Sequence, residues 1–195
     1  MTWRPSSPPG RRSPFPLGGR MATVTAPDLY RAVSGIFQSM LGVQPHLHAL
    51  ARAHAPLVNQ GIAAIVGYGG EREGSVIFSC TTDLAAKLAG LMLMEEPLPQ
   101  EDDAVDDAMG EIGNMIAGSI KSLVCVGKTE AQLTLPVVVR QGGYHLPHPS
   151  SYDRWRLTCT HADGLPFYVE MVSREPLAWG DERPAAGATI FPLGR

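Results

Sequence analysis

The segment AVDDAMGEIGNMIAGSIKSLV, residues 104–124, constrains this chain more than any other stretch. Val105, Ala108, Met109, Ile112, Met115, Ile116, Ile120, Leu123 and Val124 recur at steps of three and four residues. That spacing makes one broad apolar stripe on a long α-helix, expected over roughly 102–124. At about 100° per residue, Glu111 and Asn114 project away from the stripe's centre, about 60° apart. Asp107, Glu111, Asn114, Gly118 and Lys121 then form a row up the opposite side. Residues three apart are surface neighbours on a helix, so Glu111 and Asn114 can act on the same bound group. The acids of Glu101–Asp107 suit the positive end of the helix dipole and are most simply a solvated helix start.

Gly110, Gly113 and Gly118 interrupt this helix, each costing about 1 kcal/mol against alanine. A helix that tolerates them gains something, and close approach of another backbone is the usual gain. That backbone belongs either to a partner pressed over the Glu111/Asn114 face or to the chain's own fold. The helix alone leaves both readings open.

The flanking segments alternate between helix and strand signals. Residues 27–42 place Leu29, Val33, Ile36, Phe37 and Met40 at helical spacing. A His- and Pro-containing connection precedes two apolar runs, 62–68 and 75–80, joined by a glycine-rich hairpin turn. Thr81 or Thr82 caps a helix to about Met94, ended by Pro97 and Pro99. After the long helix come strands at 132–140, 154–161 and 167–172, the last two joined through Ala162-Asp163-Gly164. The order is α-β-β-α-α-β-β-β. It predicts an α+β domain over 21–178, a mixed, largely antiparallel sheet with helices on one face. Residues 1–20 are rich in Pro, Gly, Ser and Arg, without periodicity, and are expected to be disordered. A C-terminal tail is expected over 179–195, with a short edge strand at 190–193.

Charge narrows the function. The first 20 residues hold four arginines and no acid, so the remaining 175 carry 12 basic against 19 acidic residues. A body this acidic argues against a nucleic-acid partner. No run approaches the roughly 18 apolar residues of a membrane span. Arg11-Arg12 lacks the apolar stretch of an export signal. Cys80, Cys125 and Cys159, far apart and odd in number, read as reduced thiols of a cytoplasmic protein.

Asp107-x-x-x-Glu111-x-x-Asn114, followed by Met-Ile-Ala-Gly-Ser and later by Leu135-Pro136, resembles the CheC/CheX/FliY chemotaxis phosphatase family. It is most similar to CheX-like domains, through the run GEIGNMIAG at 110–118 and the element order over about 27–175. The resemblance implies an enzyme that hydrolyses the aspartyl phosphate of a CheY-like response-regulator receiver. It implies that Asn114 orients the hydrolytic water and that Glu111 engages the receiver's lysine. Asp107, Gly110, Gly118 and Lys121 would border the partner. Magnesium would be supplied by the receiver, with no cofactor of the chain's own. One Glu-x-x-Asn helix per chain matches CheX-like domains, whereas CheC carries two. Family members also form homodimers, which makes a dimer an open expectation here.

Other signals are weaker. His46, His48 and His54 cluster, but no nearby carboxylate or cysteine completes a metal set. Gly67-Tyr-Gly-Gly lacks the Gly-Lys-Ser/Thr of a phosphate loop and fits a hairpin turn. No Gly-x-Ser-x-Gly is present. His145-Leu-Pro-His148 has no assigned role. The alternative function class is a non-catalytic module that docks a receiver, or a flagellar-switch protein, through the same helix.

Overall fold

The computed structural model describes residues 23–53, 61–70, 72–125, 131–140 and 152–179. Its elements run β1 (Thr23–Val24), α1 (Ala26–Leu41), β2 (His46–Arg52), β3 (Ile62–Gly69), β4 (Gly74–Cys80), α2 (Thr82–Leu93) and α3 (Asp103–Val124). They continue with β5 (Gln132–Leu133), β6 (Val137–Arg140), β7 (Asp153–Thr160), β8 (Pro166–Ser173) and β9 (Ala178–Trp179). The α+β expectation holds.

Each helix starts where its side chains satisfy the first free N–H groups. Thr25 caps α1 in a reciprocal box with Asp28, Thr81 caps α2 by accepting from Leu84 N–H, and Asp102 caps α3 by accepting from Ala104 N–H. The Thr25 hydroxyl bond holds the Asp28 carboxyl below its ordinary range against the opposing cost of desolvation, with the Thr25 N–H and then Arg31 adding to the effect.

The main sheet runs β2-β7-β8-β4-β3, and β5 and β6 share the outer edge of β3 in succession. Every pairing in it is antiparallel. β1 and β9 form a separate parallel pair. The helices lie against one face, where Val76, Phe78, Leu157, Phe167, Val169 and Met171 join the helix side chains in one core. Phe37 of α1 stacks on Phe167 with centroids 4.6 Å apart and meets Phe78 edge-on at 6.1 Å. Aromatic pairs in these geometries contribute beyond the area they bury.

Three features depart from the sequence reading. The His-containing connection is strand β2, paired with β7 along its length. Only Leu50 of its seven residues is buried, so the strand presents no apolar run. The predicted strand 132–140 is two strands, because Thr134-Leu135-Pro136 breaks the ladder and proline has no N–H to donate to it. The tail boundary expected at 179 falls inside β9, whose partner β1 lies more than 150 residues away. The expectations for residues 1–20, for His54, for His145 and His148 and for 190–193 lie outside the described residues.

Candidate functional site

α3 crosses the sheet over β3, and the contact is closest at Gly113. A Cβ built there would stand 2.6 Å from Ala64 Cβ, inside any real carbon–carbon contact. Gly113 is therefore where helix and sheet backbones approach each other. Gly110 is also buried, and a Cβ there would meet Pro136 Cγ and Val138 Cγ2 at 3.5 Å. The chain's own fold therefore fills the space beside both glycines, tightly at Gly113 and in ordinary contact at Gly110. Gly118 is half-buried, with Leu133 Cδ1 at 3.9 Å as the nearest atom to a built Cβ.

These contacts show a strand segment running antiparallel beside the helix. Lys121 Nζ donates to Ala131 O at 3.0 Å. Leu133 lies by Gly118, and Pro136 and Val138 lie by Gly110. Arg140 Nε donates to Asp106 Oδ1 at 2.7 Å, and its Nη2 donates to Asp102 O at 3.0 Å. The polar row therefore does not face open solvent along its whole length. It lies at the seam between α3 and this flanking strand.

Position along the seam separates the candidate residues. Asp107 and Glu111 are exposed, whereas Asn114 and Lys121 are half-buried. Lys121 is committed to Ala131 O. Among the described residues, neither the Glu111 carboxylate nor the Asn114 carboxamide makes a hydrogen bond or ion pair within the chain. Glu111 is thus an accessible acceptor and Asn114 a more restrained one, able both to donate and to accept. They share one helix face, one turn apart. Sequence reasoning did not anticipate the seam, because a helical projection contains no information about which strand flanks the helix.

The remaining candidates separate from this face. His48 Nε2 pairs with Thr160 Oγ1 at 2.8 Å across the β2–β7 ladder. Among the described residues no group of three His, Cys, Asp or Glu side chains is placed to hold a metal. Burial pushes the Cys159 thiol up to about 12 and the Cys80 thiol higher still, so both stay protonated and inert at neutral pH. No helix among the described residues is long and apolar enough to cross a membrane.

Residues 62–160, from the first residue of β3 through the last of β7, match the family model described as chemotaxis phosphatase CheX. The chain belongs to the CheX family. α3, with Glu111 and Asn114, lies within the matched span. The CheY-P phosphatase CheX of Thermotoga maritima is 29% identical over 112 residues, which covers 57% of this chain and 72% of that protein. The crystal structure of a chemotaxis protein CheX from Desulfovibrio desulfuricans superposes with a TM-score of 0.64 at 22% identity, covering 76% of this chain and 97% of that one. The CheX-CheY-BeF3-Mg2+ complex from Borrelia burgdorferi gives a TM-score of 0.62 at 21% identity, covering 76% and 97%. The last two likenesses concern the fold.

Proposed function

We propose that this CheX-family chain is a phosphatase of a CheY-like receiver, removing phosphate from the receiver's aspartyl phosphate. The observation that carries the reading is the pair of unpartnered groups on α3, Glu111 exposed and Asn114 half-buried, in a chain of this family. The named activity of the Thermotoga relative and the presence of CheY, BeF3 and Mg2+ with the Borrelia CheX support it. BeF3 bound to a carboxylate stands in for a phosphoryl group.

In this reading the Asn114 carboxamide enters the receiver's acidic pocket. Its oxygen accepts a hydrogen bond from one water and turns that water's lone pair toward phosphorus. The water oxygen bonds to phosphorus as the acyl-phosphate P–O bond breaks, releasing inorganic phosphate and the receiver's aspartate. Phosphoryl transfer depends chiefly on positioning and charge stabilisation, so an oriented amide suffices without a covalent nucleophile. An amide also carries no charge to repel the phosphoryl group. Glu111 takes the receiver's lysine and sets the register of the complex, with Asp107, Gly118 and Lys121 along the same face and Pro136 covering Gly110. Magnesium comes with the receiver, and both proteins meet in the cytoplasm.

Steady-state kinetics with a magnesium-loaded, phosphorylated receiver separate the two roles. Asn114→Ala should lower kcat on the order of 100-fold with little change in binding. Glu111→Ala should raise KM and lower kcat together. Unchanged turnover in Asn114→Ala contradicts the assignment. Tight binding by wild type without any turnover instead supports a docking module.

A further inference from the structure

We infer that Leu135 is a receiver-contacting residue, an apolar anchor that seats Asn114 in the partner's site. The inference rests on the receiver-phosphatase reading above and adds to it a residue on a different element. Leu135 is 86% exposed, in the break between β5 and β6.

Its place along the seam is fixed by the contacts on either side. Leu133 lies by Gly118 and Pro136 by Gly110. Asn114 is midway between Gly118 and Gly110 on the helix, and Leu135 lies between Leu133 and Pro136 on the flanking strand. The backbone of Leu135 therefore falls level with Asn114 along the seam. A partner that closes over Asn114 also covers Leu135.

The local backbone is held on three counts. Thr134 N–H donates to Gly67 O at 2.9 Å, and Gly67 N–H donates to Thr134 Oγ1 at 2.9 Å. The same hydroxyl donates to Leu135 O at 3.0 Å. Gly67 admits this clamp because a Cβ there would crowd Thr134 Cγ2 at 3.0 Å. Pro136 then fixes its own φ and restricts the backbone of Leu135 to extended conformations. Scattered exposed apolar residues such as Leu135 and Val137 need no explanation on an ordinary surface. Leu135 is presented on a fastened backbone beside the site, so little ordering entropy is lost when a partner covers it.

The surroundings fit a receiver better than a second apolar surface. Asp107 and Glu111 are exposed on the adjoining helix face. Leu135, with Val137 also exposed two residues on, borders a helix face that carries exposed carboxylates, which fits a partner offering apolar side chains beside a cation. In this arrangement Leu135 adds to binding, and Asn114 keeps the chemical step.

The test uses the full chain and the receivers encoded in the same genome, each activated by beryllofluoride with Mg2+ for binding and phosphorylated for turnover. Leu135→Ser should weaken binding and raise KM on the order of 30-fold, with kcat at saturation within about twofold. Leu135→Met should restore wild-type KM. Thr134→Val, which removes the hydroxyl but keeps the shape, should give an intermediate KM. Wild-type KM and affinity in Leu135→Ser, beside an active wild type, overturn the inference and leave the phosphatase reading standing. A kcat loss in Leu135→Ser at unchanged KM also overturns it. A wild type that binds no activated receiver and accelerates none overturns both.

Discussion

Asn114 and His161 show how the same fold treats two polar side chains in opposite ways. Asn114 keeps its amide accessible and unpartnered at the seam. His161 is buried at the β7–β8 hairpin, its Nδ1 accepting from Asp163 N–H at 3.3 Å and its Nε2 without a partner among the described residues. Burial, with the nearby Lys87 charge, holds its pKa below the ordinary 6.5. A depressed histidine pKa means that the unfolded chain takes up the proton first. The stability it contributes is full above about pH 6.5 and is lost as pH falls below that value. Thermal melts from pH 8 to pH 5 should show wild type losing stability over the acid part of the range. His161→Gln should show a flatter profile, and an equally steep one contradicts the assignment.

At the scale of elements, α3 was largely legible in the sequence and its surroundings were not. The three- and four-residue spacing depends only on the helical repeat, so the stripe, the start near Asp102 and the shared helix face of Glu111 and Asn114 were all readable. The role of the glycines was not, because it depends on which strand lies beneath. Gly113 meets Ala64 of β3, nearly 50 residues away, and Gly110 meets the β5–β6 segment. Helix propensity alone makes Gly113→Ala stabilising by about 1 kcal/mol. The 2.6 Å approach to Ala64 Cβ reverses the sign, and we expect a net loss of about 1–3 kcal/mol from overpacking. Gly118→Ala, with its nearest neighbour at 3.9 Å, should instead raise the melting temperature by a few degrees. Calorimetry of the two variants checks the contrast, and equal shifts contradict the packing account.

Across the whole molecule, what escaped the sequence reading was non-local pairing. β2 is an edge strand with one buried residue, and the β1–β9 pair joins the two ends of the described chain. Neither leaves an apolar run to find. The sheet also buries a charge that periodicity does not reveal. Glu170 of β8 is fully buried, Arg156 Nε donates to its Oε1 at 2.7 Å, and Arg154 Nη1 lies 3.7 Å from its Oε2. Without Arg156, Glu170 keeps only the longer Arg154 contact, so Arg156→Ala should cost about 3 kcal/mol in urea unfolding. Replacing all three charges together, Arg154→Met, Arg156→Met and Glu170→Leu, should cost much less, because no buried charge is left unpaired. A triple variant as damaged as the single one contradicts this view of the cluster.

The fold thus presents one helix face, bordered by one fastened strand, with the amide of Asn114 at the seam. The most direct measurement is phosphate release from a magnesium-loaded, phosphorylated CheY-like receiver, with and without the chain. Wild type should accelerate release well above the receiver's own rate, and Asn114→Ala should remove most of that acceleration while still binding. No acceleration by wild type with any receiver encoded in the same genome contradicts the account.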